Sequence, residues 1–92
     1  MPEFVIEKGF AGLGDLSGFQ QAQTARRSCS ALHGVSPGIE WVRSYLTADK
    51  VYCVYRAPSE QAIREEIERW GLEPPISICE VHQVIAPEDE AG

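Results

Sequence analysis

The chain has 92 residues, 8 basic and 14 acidic side chains, a formal net charge of -6 and 43% hydrophobic content, which suits one domain with one modest core. The acidic balance repels phosphate backbones and anionic headgroups over most of the surface, which argues against nucleic-acid or membrane-surface binding. No apolar run reaches the length that spans a bilayer, and Met1-Pro2-Glu3 leads straight into a strand with no basic leader, so a soluble cytoplasmic protein is expected.

Phe4-Val5-Ile6-Glu7 reads as a first strand that ends before Gly9. Gly9, Gly12, Gly14 and Gly18 then punctuate a loop; their spacing misses the dinucleotide-binding fingerprint by one residue, and no acidic residue ends a second strand where a ribose would require it. Ser17-Gly18-Phe19-Gln20 fits a capping box that starts a helix. Phe19, Ala22, Ala25, Cys29 and Leu32 recur at helical spacing as one apolar stripe, and Gly34 is the natural terminator.

Glu40 to Leu46 and Val51 to Arg56, rich in β-branched and aromatic residues, meet at Thr47-Ala48-Asp49-Lys50 and form a hairpin. The turn pairs Leu46 with Val51, Ser44 with Cys53 and Val42 with Tyr55 on a mostly apolar face. The opposite face then carries Trp41, Arg43, Tyr45, Tyr52, Val54 and Arg56, a mixture of rings and guanidinium groups suited to binding.

A second helix follows Pro58, with Ser59 as N-cap, Ala62, Ile63, Ile67 and Trp70 on one side and Gly71 as its stop. Arg64, Glu65, Glu66, Glu68 and Arg69 read as its solvated face. After Pro74-Pro75 a last strand runs from Ile76 to Ile85, with Cys79, Val81 and Ile85 under the helices and Ile78, Glu80, His82 and Val84 outside. Residues 1–87 form a single domain, and residues 88–92 read as a disordered acidic tail.

The order βαββαβ predicts an α+β fold, a ferredoxin-like sandwich with a four-stranded antiparallel sheet and both helices on one face. An uncovered face bearing Trp41, Tyr45, Tyr52, Ile78 and Val84 would be a large apolar patch, so a homodimer closing a dimeric α/β barrel is expected. The three cysteines are odd in number and lack a CxxC pair, so reduced thiols are expected, with Cys53 and Cys79 as small core residues.

Inside such a barrel the outward face lines a cavity holding Glu7, Arg43, Glu80 and His82 among the rings of Trp41, Tyr45 and Tyr52. Glu80 and His82, two apart on one strand, could offer an oxygen and an imidazole nitrogen to a divalent metal, with Glu7 as a third donor. Cys29 and His33, four apart on the first helix, form a second possible sulfur and nitrogen pair. The alternative is a cofactor-free enzyme, an isomerase, cyclase or monooxygenase, with His82 or Glu80 as general base and Arg43 or Tyr52 stabilising an anion. The bland reading is that the charges are ordinary cross-strand ion pairs.

Ile39-Glu40-Trp41-Val42-Arg43-Ser44-Tyr45, the block Asp49 to Pro58, Ser28-Cys29 and Ala62-Ile63-Arg64-Glu65 together resemble a family of small bacterial nickel-binding proteins, catalogued mainly as a domain of unknown function. The resemblance runs from about Phe4 to Val81 and implies the ferredoxin-like fold, a dimer and nickel as the metal. One departure stands out: where that family commonly carries a histidine after Ile63-Arg64-Glu65, this chain has Glu66, and nickel favours nitrogen and sulfur donors over a lone carboxylate.

Overall fold

The computed structural model describes residues 1–35 and 38–89, with side chains omitted from the description at 33–35 and 89. Four strands, β1 (Glu3–Gly9), β2 (Glu40–Leu46), β3 (Lys50–Arg56) and β4 (Ser77–Glu80), form one antiparallel sheet in the order β2-β3-β1-β4. Helix α1 (Gly18–Val35) connects β1 to β2, and α2 (Glu60–Arg69) connects β3 to β4. This is the ferredoxin-like topology, with both helices on one face of the sheet.

Local chemistry sets the helix ends. At the start of α1, Gln20 N–H donates to Ser17 Oγ and Ser17 N–H donates to Gln20 Oε1, both at 3.1 Å, which completes the expected capping box. Ser59 caps α2 by accepting from Ala62 N–H at 3.1 Å. Helix α2 stops at Gly71, whose φ of 64° an L side chain rarely adopts. Leu72 N–H returns to Ile67 O at 2.9 Å and Gly71 N–H to Glu68 O at 3.2 Å, a Schellman motif that satisfies two carbonyls of the last turn.

The glycine-rich loop after β1 folds into a 3-10 turn, Leu13–Asp15, that buries Leu13 and docks on the β2–β3 turn. Gly14 N–H donates to Ala48 O at 2.7 Å, and a Cβ at Gly14 would lie 3.1 Å from the Ala48 backbone, so a larger residue would push the β2–β3 turn back by a few tenths of an ångström and the close approach favours glycine.

The core lies between sheet and helices. Phe4 and Ile6 from β1, Val51, Cys53 and Tyr55 from β3, Ile78 from β4, Ala25, Cys29 and Leu32 from α1 and Ile63 and Ile67 from α2 form one buried cluster. Each fully buried large apolar side chain contributes about 1.5–3 kcal/mol. Phe19 is 71% exposed and Trp70 49%, so neither joins the stripe expected of it; Phe19 lies in the first turn of α1 and Trp70 is the C-cap of α2.

Contrary to the expectation of reduced thiols, Cys29 on α1 and Cys53 on β3 form a disulfide, and Cys79 is an exposed free thiol and not a core residue. The helical stripe and the strand alternation aim Cys29 and Cys53 into the same buried layer, which brings two sulfurs widely separated in sequence into bonding range. Tyr55 Oη donates to the Cys29 carbonyl beside the bridge, and burial pushes its phenol well above the usual range.

Two expected registers are corrected. Leu46 pairs with Val51 and Ser44 with Cys53 as expected, but an irregularity between Trp41 and Arg43 places Trp41, not Val42, opposite Tyr55. On β4, Ile78 pairs with Ile6 and Glu80 with Phe4, whereas Ser77 and Cys79 pair with Glu7 and Val5. Directly opposed residues share a face, so Ile78 and Glu80 belong to the helix side and Cys79 to the open side, the reverse of the expected alternation.

Strand β4 is also shorter than Ile76 to Ile85. Ile76 N–H donates to Glu7 O and Val81 N–H to Glu3 O, and past Glu3 the partner strand has ended, so nothing in β1 continues the ladder to His82 and beyond. Residues Pro87–Asp89 form a short 3-10 turn, and the remainder of the expected tail, 90–92, lies outside the described residues.

Candidate functional site on the open sheet face

The sheet face away from the helices presents Glu3, Val5 and Glu7 of β1, Arg43 and Tyr45 of β2, Lys50, Tyr52, Val54 and Arg56 of β3, and Ser77 and Cys79 of β4. Alternation along each strand delivers these side chains to one surface. Val54 lies at the middle of this face, flanked by Val5 and Arg43 in register, and is only 2% exposed.

Glu7 is the centre of one polar group. It accepts from Ser77 Oγ at 3.0 Å and from Tyr52 Oη at 3.4 Å, and Lys50 Nζ lies 3.4 Å from its Oε2. The Ser77 hydrogen bond and the Lys50 ammonium hold its carboxyl below the usual carboxylate value. Reciprocally, the bond to Glu7 holds the Lys50 ammonium above the usual lysine value.

A second group is built on arginines. Arg43 Nε donates to Tyr45 Oη at 2.8 Å with its guanidinium 5.9 Å from the ring centroid, and that hydrogen bond raises its pKa further. Arg56 pairs with Glu3 at 3.5 Å and with Glu40 at 3.4 Å, and Glu3 reaches Arg43 at 3.9 Å. These pairs are partly exposed, where each contributes about 0–1 kcal/mol, so the network orders the face more than it stabilises the fold.

Of the residues expected to bind a ligand, Arg43, Tyr45 and Tyr52 share this face, and Tyr45 lies opposite Tyr52 in the ladder. Trp41 does not: it packs against the core on the helix side and its Nε1 donates to Ser44 Oγ at 2.9 Å. Of the expected metal donors, Glu7 is on the open face, Glu80 is exposed on the helix-side edge of β4, and His82 is exposed beyond the strand. Among the described residues no three His, Cys, Asp or Glu side chains gather around one point, so a single chain does not assemble these three donors into a site. The His33 side chain lies outside the described residues, and Cys29 is in the disulfide.

Lys50, Ser77 and Cys79 are members of the face that the sequence reading missed. Ser77 and Cys79 were hidden by the inverted reading of β4, and pairing with a β1 strand that alternates Phe4, Ile6 against Glu3, Glu7 would have revealed them. Glu66, where the resembling family carries histidine, sits on α2, away from this face; it accepts from Trp70 Nε1 at 2.8 Å and lies 3.9 Å from Arg69.

The topology and its one uncovered, charged and aromatic sheet face define a small ferredoxin-like α+β protein. More particularly, residues 4–84 match the family described as nickel responsive protein SCO4226-like, and the chain belongs to that family. Its fold is similar to the crystal structure of SCO4226 from Streptomyces coelicolor A3(2), with a TM-score of 0.66 and 19% identity over 90% of this chain and 99% of that one. No curated protein shows a match to the chain. Among the described residues no helix is long and apolar enough to cross a membrane.

Proposed function

We propose that the protein is a small nickel-binding protein that works as a homodimer through its open sheet face. The observation that carries this reading is membership, over residues 4–84, of a family described as nickel responsive. The donor chemistry supports it: exposed Cys79, Glu80 and His82 lie within four consecutive residues at the sheet edge, and thiolate and imidazole are donors that nickel favours. Glu7, already engaged by Ser77 and Lys50, is the third donor of this reading only if a second copy brings its own edge segment across. Dimerisation supplies that second set of donors, and Tyr45, Val84 and Ile85, which are 55%, 69% and 72% exposed, are the apolar groups it would cover.

The Cys29–Cys53 bridge weighs against the cytoplasmic location expected from the sequence, because structural disulfides form mainly in oxidising compartments. The deciding experiment is calorimetric titration of the metal-free protein with nickel, for the native chain and for His82→Ala, alongside light scattering. Saturable binding with a Kd of about 1 μM, near 8 kcal/mol of binding free energy, that disappears in His82→Ala supports the assignment. An absence of heat with the native chain overturns nickel binding, and retention in the variant overturns the donor set. A mass about twice the 10.2 kDa chain supports the dimer, and the mass of one chain overturns it.

A further inference from the structure

The geometry points to a second binding site, on the helix side of the sheet, where Lys8 and Arg27 hold a small organic monoanion, a carboxylate with a short apolar body. A cavity of about 460 Å³ opens between the end of β1 and α1, lined by Lys8, Phe10, Thr24, Arg27, Ser28 and Glu73, and a smaller recess of about 240 Å³ shares Lys8, Arg27, Ser28 and Glu73 with it. The first volume is within the range of small-molecule sites. It lies across the sheet from Glu7, Arg43 and Tyr52, so it is independent of the proposed nickel reading.

Lys8 is the unusual member. Its register opposite Val51 turns it toward the core layer, where a lysine is seldom found, and among the described residues no carboxylate lies within ion-pair distance of it. Its ammonium donates to Ser28 O at 3.1 Å and to Ser28 Oγ at 3.2 Å. Two acceptors for three donors leave one N–H without a protein partner among the described residues. Desolvation lowers its pKa, and the field of Glu73 offsets only part of that effect. A partly desolvated cation with an open donor, facing a cavity, is better satisfied by an anion than by the protein around it.

The lining also selects the ligand. Lys8 and Arg27 against Glu73 leave one net positive charge, which one carboxylate balances and a dianion overshoots. Phe10 and Val51 on one side, with Ala31 and Leu72 in the adjoining recess, give an apolar body a place to lie, while Thr24 and Ser28 offer hydroxyls to the carboxylate. An inorganic anion would use the charges and leave the apolar wall wet.

Sodium benzoate is a suitable probe, titrated at constant ionic strength and neutral pH while amide resonances are followed by NMR. Saturable shifts centred on Lys8, Thr24 and Ser28 are expected, with affinity reduced about tenfold or more in Lys8→Met and in Arg27→Gln, since each removes one charge-assisted hydrogen bond. Arg27 is on the exposed side of α1, so its variant keeps the fold and carries the test should Lys8→Met not fold. Inorganic phosphate is expected to bind more weakly than benzoate. Shifts that do not saturate, that centre elsewhere, or that survive both substitutions unchanged overturn the site, and phosphate binding as tight as benzoate overturns the organic-acid assignment.

Discussion

The indole of Trp41 donates to Ser44 Oγ at 2.9 Å, although the two residues are three apart on one strand. In a regular strand an odd spacing puts side chains on opposite faces. The irregularity between Trp41 and Arg43 inserts one residue and returns Trp41 to the helix side, opposite Tyr55, so the largest ring of β2 serves the core layer and leaves the open face. The contact is continuous with the buried layer, because Ser44 Oγ in turn lies 3.0 Å from Cys29 Sγ.

Trp41 is therefore a stability residue. Trp41→Phe is expected to cost about 1 kcal/mol for the lost hydrogen bond, and Trp41→Ala about 2–3 kcal/mol, below the full core value because the ring is only partly buried. Urea unfolding measures both. A change in oligomeric mass with unchanged monomer stability would instead return Trp41 to the open face.

The disulfide closes a sequence separation of 24 residues between α1 and β3. Replacing Cys29 and Cys53 together by alanine is expected to lower stability by about 3 kcal/mol. Thiol titration of the unfolded, unreduced protein should count one reactive group, Cys79, and three after reduction. Three thiols before reduction would contradict the bridge.

Glu7 has a carboxyl pKa held below its ordinary value of 4.5 by Ser77 and Lys50. A depressed carboxylate adds stability that is present above the unfolded value and lost as pH falls through the folded one. Glu7→Gln should thus flatten the decline of the melting temperature below about pH 4.5. An unchanged acid limb in Glu7→Gln would show that the contacts to Ser77 and Lys50 are not held in solution.

Lys8 has the opposite sense. Its folded pKa lies below the ordinary 10.5, so the fold disfavours the charged form, the penalty is complete below the folded value, and it fades as pH rises through 10.5. Lys8→Met should raise the melting temperature at pH 7 by a few degrees at most and erase that alkaline trend. Calorimetric scans from neutral to alkaline pH check the sign.

Arg43 tests the assignment of faces. Its side chain is 46% exposed and its partners, Tyr45 and Glu3, are on the open face. Arg43→Leu is expected to leave stability close to that of the native chain, as surface substitutions do, whereas Ile63→Ala, from a fully buried position, should cost about 2–5 kcal/mol. Chemical denaturation of the two variants side by side reads the contrast.

Local chemistry was legible from the residues alone. The Ser17–Gln20 capping box, the Ser59 cap, the Gly71 stop and the pairing of Leu46 with Val51 depend on neighbours within a few positions, and each formed as read. The order of elements followed, and with it the sandwich and the open face carrying Glu7, Arg43, Tyr45 and Tyr52.

What the chain could not reveal by itself lies at longer range. Cys79 and Val81 alternate as well as Ile76 and Ile78, so pattern left the face of β4 undetermined until β1 set Ile78 beside Ile6 and Ser77 beside Glu7. The same partner set the strand's length, because a ladder ends where its neighbour ends. The bulge beside Trp41 adds a residue with no change in composition, and a disulfide between Cys29 and Cys53 requires the distance between two elements that only packing determines. Sequence by itself determined the elements, their caps and their order, since those are set by contacts within a turn or two. Tertiary structure decided which side chains share a face and which sulfurs meet, since a one-residue slip in register costs little locally and moves every side chain on a strand to the other side of the sheet.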